Sequence, residues 1–229
     1  MLIDWERLPE RLKTPEVRVY YDILAKKRIS LIIKRVFDLI MSTILLVLSS
    51  PLFIIIALLI KKDSKGTVYY RQERVTQYGR TFFIHKFRTM IMNADKLGSE
   101  ITSNHDNRVT KIGTFLRKYR LDEFPQLIDV FLGDMTFVGT RPEVPAFVNE
   151  YSSEMLATLL LPAGITSQAS IKYKDEAKLL EDLTDNQVNS VYLEKILPEK
   201  MKYNLESIKE FSLMNDLKTL FATVIEVFR

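Results

Sequence analysis

From Val36 to Ile60 the chain reads VFDLIMSTILLVLSSPLFIIIALLI, 25 residues in which Asp38 is the only charge. A straight helix of that length reaches ~38 Å, enough for a hydrocarbon core of ~30 Å. Ser50-Pro51 interrupts the pattern near its middle. Proline cannot give an N–H to the carbonyl of Val47 and its ring crowds that carbonyl, which predicts a kink or break; the Ser50 hydroxyl is placed to take up a freed backbone group. Both flanks are basic, with Lys26, Lys27, Arg28, Lys34 and Arg35 before and Lys61, Lys62 and Lys65 after. Lys and Arg collect on cytoplasmic flanks. A kinked span and a re-entrant hairpin returning to its own side both fit these residues.

The remaining pattern predicts a small mixed domain, α+β in class. Thr14-Pro15-Glu16 is a helix start, and Val17, Tyr20, Tyr21 and Leu24 make an apolar stripe behind it. This is an amphipathic lead-in, with Trp5 and the tyrosines expected at headgroup level. Thr67–Gln72 and Thr81–Phe87 are β-rich runs joined by a turn at Gln77–Arg80, with Arg71, Arg74, Lys86 and Arg88 brought together by the hairpin. A short helix is expected over Ile91–Leu97 and a polar loop over Gly98–Asn107. Thr110–Tyr119 has helical spacing. A second helix is expected from about Leu121, because Pro125 is tolerated only in a first turn, and Gly133 is placed to stop it. Thr136–Gly139 reads as a short strand, and Thr140–Glu143 and Pro162–Ser167 as turns. Pro198 opens a helix, and the stripe Leu217, Leu220, Phe221, Val224, Phe228 is expected to pack into a core. The division is a lead-in over 1–33, the apolar helix over 34–62 and a catalytic domain over 63–229.

Composition narrows the setting. The chain of 229 residues has no cysteine, hence no disulfide and no Cys-ligated metal. A net charge of +4 suits an anionic membrane surface or a phosphorylated substrate, and no Lys/Arg run is long enough to favour nucleic acid. The opening MLIDWERLPERLK lacks the basic-then-apolar order of a secretory signal, so the apolar segment reads as an anchor.

The chemistry concentrates on Asp122-Glu123. At a helix N-terminus the macrodipole favours negative charge, so both acids are expected to be ionised. Such a pair can hold Mg²⁺, which takes one or two carboxylates plus substrate phosphates, or one carboxylate can attack phosphorus; simple capping is the bland alternative. Lys86, Arg88, Arg108, Arg117 and Arg141 lie near predicted element ends, where they can converge on a diphosphate. His85 reads as packing and His105 as loop surface, with no zinc partners. There is no Walker loop and no G-x-G-x-x-G.

Seven motifs come in order: Lys34-Arg-Val-Phe-Asp38, Ser50-Pro51, Arg71-Gln72, Lys86-Phe-Arg-Thr-Met90, Leu121-Asp-Glu-Phe-Pro-Gln-Leu127, Gly133-Asp-Met135 and Val138-Gly-Thr-Arg-Pro142. Together they resemble the bacterial sugar transferase family of monotopic phosphoglycosyl transferases, from about Lys34 to Gln168. The resemblance implies a re-entrant helix broken at Ser50-Pro51. It also implies transfer of a sugar 1-phosphate from a UDP-sugar to a polyprenol phosphate, with UMP released and Mg²⁺ required, at the cytoplasmic face of the bacterial inner membrane. By motif, Asp122 is the nucleophile and Glu123 the Mg²⁺ ligand. Arg117 and Arg141-Pro142 meet phosphate or uridine, Lys86 and Arg88 shape the site, and Lys34 and Arg35 meet phospholipid headgroups or the acceptor phosphate. Thr140 stands where the family usually has proline, and Pro162-Ala-Gly-Ile-Thr-Ser167 departs from the usual Pro-Gly-x-Thr-Gly. The sugar is left open, as is a homo-oligomer. The rival is a catalytically silent module that binds a lipid-linked sugar or an assembly partner; it would share the anchor but needs none of Asp122, Glu123 and Arg141.

Overall fold

The computed structural model describes residues 2–94, 107–174, 176 and 185–227. Helix α1 (Pro15–Ala25) starts as its sequence predicts, the Thr14 hydroxyl accepting from the Val17 N–H at 3.3 Å. Its stripe does not face a membrane. Tyr20 and Tyr21 are buried with Leu2, Leu12, Val17 and Leu24 in a core shared with the C-terminal helices, and Trp5 packs edge-on against Tyr21. The headgroup-level expectation is therefore corrected: the lead-in is packed on the domain because its apolar side finds a matching apolar side there.

Helix α2 (Arg28–Asp63) is 36 residues long, roughly 54 Å if straight. It begins well before Val36, and it runs as one helix with Pro51 inside it, without a break at Ser50-Pro51. The reason is local. Ser50 Oγ donates to the Val47 carbonyl at 2.8 Å, the acceptor that Pro51 leaves without its amide. One stripe of α2 lies on the domain along its whole length. Leu31 enters the first core, and Phe37, Met41, Leu45 and Leu46 pack on a second formed by Phe82, Ile84, Val130, Met135 and Ala163. Ile56 and Ile60 join Phe87 and Leu116 in a third. The opposite face remains exposed and apolar, Val47 and Leu48 at 67% and 72% exposure among them.

Strands β1 (Tyr69–Val75) and β2 (Thr81–Phe87) pair antiparallel, Arg71 opposite His85 and Tyr70 opposite Lys86. The hairpin turns at Gln77–Gly79, with Tyr78 at φ 62°. Of the helix expected at Ile91–Leu97 and the loop to Asn107, residues 95–106, His105 included, lie outside the described residues. Helix α3 (Lys111–Lys118) is capped by Thr110, whose hydroxyl accepts from Gly113 N–H. Arg120 then adopts the left-handed region at φ 52° and turns the chain into a 3₁₀ turn over Leu121–Glu123. Helix α4 begins only at Gln126 and runs to Leu132. Asp122 and Glu123 thus precede the α-helix instead of opening it, and the macrodipole argument for them weakens accordingly. Gly133 stops α4 at φ 91°, a conformation cheap for glycine.

Strand β3 (Met135–Val138) pairs in parallel with β4 (Ala163–Thr166), where only a turn was expected. Pro162 and Gly164 hid the strand. Here two backbones approach so closely that a Cβ on Gly164 would stand 2.2 Å from Gly139. Gly139 N–H donates to Thr166 O (2.9 Å) and Gly164 N–H to Thr140 O (2.8 Å). The crossover carries α5 (Pro145–Asn149) and a 3₁₀ stretch over Met155–Leu160. Among the described residues four helices follow: α6 (Gln168–Lys172), α7 (Asp185–Val191), α8 (Leu197–Lys209) and α9 (Leu213–Val227), with a π turn over Tyr192–Ile196 leading into α8. On α9 the expected core stripe is largely outside. Phe221 is 71% exposed and Val224 56%. The inner side is instead polar: Thr219 accepts from Gln168, and Thr223 and Thr166 hydroxyls meet at 2.8 Å. Leu220 alone among the stripe packs with the second core, and Phe228 is outside the described residues.

Buried side chains fasten α2 to this frame. Asp38 accepts from Thr136 Oγ1 at 2.7 Å and from Phe137 N–H at 3.3 Å. Lys34 donates to Val138 O and to Asp216 Oδ2 on α9. Asp38→Ala leaves the Thr136 hydroxyl and Phe137 amide without an acceptor and should cost about 1–3 kcal/mol in denaturant unfolding of the detergent-solubilised protein. Adding Thr136→Val should cost much less than it does alone, since the two share one contact.

Candidate active site

Three segments bring the charged residues together. Lys86 comes from β2, Glu123 from the 3₁₀ turn after α3, and Arg141 from the segment after β3. Glu123 Oε1 accepts from Lys86 Nζ at 2.8 Å and from Arg141 Nη2 at 2.7 Å, while among the described residues Oε2 has only the long Arg141 Nη1 contact at 3.5 Å. Burial alone would raise the Glu123 pKa, but Arg141 and Lys86 outweigh it and hold the carboxyl well below its ordinary value. Arg141 is pushed up by Glu123, and Lys86 is pulled down by burial despite Glu123.

Asp122 behaves oppositely. Burial and the neighbouring Glu123 charge raise its pKa against the opposing pull of Lys86 and Arg117. Among the described residues its carboxylate takes no side-chain hydrogen bond. The pair expected to be alike is therefore split: one carboxylate is committed to two cations, and the other is uncommitted between Lys86 and Arg117. Arg117 itself is steadied by Nε donation to Thr89 Oγ1 at 2.9 Å.

The other predicted residues lie elsewhere. Arg88 is buried and caps the end of α2, donating to Ser64 O (2.9 Å) and Lys65 O (2.8 Å). Arg35 closes the C-terminus of α4 through Val130 O (2.6 Å) and Phe131 O (2.9 Å), a favourable place for a cation. Lys34 is buried in its pair with Asp216. Arg88 is thus engaged with the end of α2, Lys34 with a buried carboxylate and the half-buried Arg35 with a helix end, and among the described residues none of the three hydrogen-bonds to the acidic pair. Pro142 takes a backbone role, its carbonyl accepting from Arg74 at 3.2 Å. Ser50 and Pro51 sit in the exposed middle of α2.

Two groups escaped sequence reasoning. Behind Arg141, Lys200 donates to Glu176 (2.8 Å) and Tyr192 (3.0 Å), and Tyr192 donates to Glu143 (2.5 Å). Beside Lys86, His85 is held by the fully buried Asp129. The legible signal for the second was an acid inside the apolar run Gln-Leu-Ile-Asp-Val-Phe-Leu.

Among the described residues no three acidic or histidine side chains cluster as a metal cage. Mg²⁺ needs none, since one or two carboxylates and substrate phosphates suffice. The lightly engaged Glu123 Oε2 and the uncommitted Asp122 fit that requirement.

The chain belongs to the bacterial sugar transferase family, whose model matches residues 29–229. It is 35% identical over 227 residues to the UDP-glucose:undecaprenyl-phosphate glucose-1-phosphate transferase of Escherichia coli K12, covering 97% of this chain and 45% of that protein. It is 34% identical over 195 residues to the UDP-N-acetylgalactosamine-undecaprenyl-phosphate N-acetylgalactosaminephosphotransferase of Aeromonas hydrophila, covering 84% and 43%. Against exopolysaccharide production protein ExoY of Rhizobium meliloti the identity is 29% over 206 residues, 83% of each. The chain thus spans less than half the length of the first two.

The split dyad sets a titration. Asp122, followed by ¹³C carboxyl NMR, should have its midpoint above the ordinary aspartate value of about 3.9. Glu123→Gln should lower that midpoint, because the adjacent negative charge that disfavours ionisation is gone.

Proposed function

We propose that this chain is a phosphoglycosyl transferase that moves a sugar 1-phosphate from a UDP-sugar to a polyprenol phosphate and releases UMP. The observation that carries the reading is the split pair: Glu123 ion-paired to Lys86 and Arg141, and Asp122 beside it with no side-chain hydrogen bond among the described residues. The named activities of the relatives support the donor and acceptor classes. In the first step Asp122 attacks the sugar-bearing phosphorus; a carboxylate–phosphorus bond forms, and the bond to the UMP oxygen breaks, UMP leaving as the anion. In the second, an oxygen of the polyprenol phosphate attacks the same phosphorus and Asp122 departs as carboxylate. Neither step needs a general base, since both attacking groups are already anions.

Lys86, Arg117 and Arg141 supply the positive charge that lets an anion approach a diphosphate. Glu123 would hold Mg²⁺ together with the substrate phosphates, and the ion would neutralise charge on the departing UMP. The raised pKa of Asp122 gives the reaction an acid limit: activity is lost as pH falls through a value above that of an ordinary aspartate.

The membrane reading rests on α2. A contiguous apolar face of this size marks a membrane or partner surface, and the helix is long and apolar enough to cross. Yet its first turns are tied to β3 and α9, and its last turns to β2 and α3, all parts of one domain. We therefore read α2 as re-entrant in topology, seated in the bilayer with both ends on one side. That side is the cytoplasmic face of the inner membrane, where UDP-sugars are made.

Mixing enzyme with UDP-sugar alone should release about one equivalent of UMP per site and add the mass of the sugar phosphate to the peptide containing Asp122. Asp122→Asn should give neither, in rapid quench and mass spectrometry. For topology, the chain's lack of cysteine makes single labels clean. Cysteines at the exposed positions Glu10 and Lys202 should react with an impermeant maleimide from the same side of oriented vesicles; reaction from opposite sides would mean a true span.

A further inference from the structure

Lys86 is one of two successive β2 residues that grip the segment from Glu123 to Asp129. It holds the Glu123 end. His85 holds the other end twice: its backbone N–H donates to Asp129 Oδ2 at 2.9 Å, and its Nδ1 meets Oδ1 at 2.6 Å. On the far side of the ring, Nε2 lies 2.6 Å from Arg71 Nη1, while Arg71 Nη2 donates to Phe83 O at 2.8 Å.

A guanidinium can only donate, so Nε2 must accept. The ring proton therefore sits on Nδ1, directed at Asp129. Tyr69 completes the surroundings with its ring edge-on to the imidazole. The ring is locked in one tautomer and one orientation between a buried carboxylate and an arginine. A packing residue would need none of this.

Consider what the lock fixes. Among the described residues β2 pairs with β1 alone, and no third strand sets its depth against α4. Asp129 does so instead, by taking both the strand's amide and its ring. The next residue along is the one whose ammonium faces Glu123 and Asp122. We propose that His85 and Asp129 are positioning residues, which fix the depth of Lys86 against the acidic pair, and that Arg71 completes the lock by holding the tautomer. The proposal rests on the reading of Asp122 and Glu123 as the reaction centre.

The test uses His85→Phe, which keeps bulk and removes both ring partners, and His85→Asn, whose amide N–H can replace Nδ1–H toward Asp129. Two readouts are taken on the whole 229-residue chain. The first is kcat and KM for UMP release from UDP-glucose and UDP-N-acetylgalactosamine, with undecaprenyl phosphate as acceptor. The second is the Lys86 ammonium resonance in ¹⁵N-lysine spectra, assigned by its loss in Lys86→Gln. His85→Phe should lower kcat about ten- to a hundredfold, the scale of a small misplacement at a reacting centre, with KM little changed, and should shift the Lys86 resonance. His85→Asn should restore most of both. Unchanged kcat and an unshifted Lys86 signal in His85→Phe would overturn the proposal. So would equal losses in both variants that follow their melting temperatures, which would mark His85 as structural only. If the wild type releases no UMP from these or from any other UDP-sugar in a panel, the functional reading fails, and the Lys86 resonance alone decides whether His85 positions it.

Discussion

The structure depends on one helix that must satisfy two environments. Along α2, Leu31, Lys34, Asp38, Ser42, Ile56 and Ile60 are buried, while the residues between them on the outer side are exposed and apolar. A purely apolar helix would have no reason to keep one rotation and one depth. Asp38 and Lys34 provide that reason, because each buried polar group has a single place where its partners wait, and misplacing either strands it without them. The three cores then line up along the inner stripe, and everything the domain presents, the acidic pair included, sits at a fixed distance from the outer apolar face.

Charge is spent in two ways in this molecule. Arg35, Arg88 and Lys34 close backbone carbonyls or a buried acid, and their work is done within the fold. Lys86 and Arg141 converge instead on one carboxylate oxygen of Glu123. Two cations on one acid leave positive charge in excess, which a phosphorylated substrate can take up. Asp122 stands inside that field without a side-chain hydrogen bond among the described residues, and burial beside the Glu123 charge raises its pKa.

Much of this was legible in the chain, and the failures follow a pattern. The hairpin was visible because β-branched and aromatic runs flank a polar turn, and α1 because Thr14-Pro15 is a strong start. Residues 163–166 were missed because a parallel partner arrives from far along the chain and leaves no local alternation. The start of α4 was misplaced because Pro125 forbids an interior position without saying whether the preceding turn is α or 3₁₀. The basic residues misled most. A lysine or arginine near an element end looks alike whether it waits for a ligand or closes the nearest carbonyl, and only the fold shows which carbonyls lack an amide. His85 erred the other way: read as packing, it is hydrogen-bonded on both nitrogens, a fact that no spacing rule connects with an aspartate 44 residues later.

The crossing of β3 and β4 bears on how such a site can change over time. Arg141 follows a stretch where two main chains touch at Gly139 and Gly164 and exchange hydrogen bonds through Thr140 and Thr166. Its place is thus set by backbone against backbone, and the side chains around it carry little of the load. At Thr140 the carbonyl, which every residue has, is the part that is held. Drift in the surrounding side chains is cheap and drift in the two glycines is not, so the neighbouring surface can change over time while the arginine stays where it is.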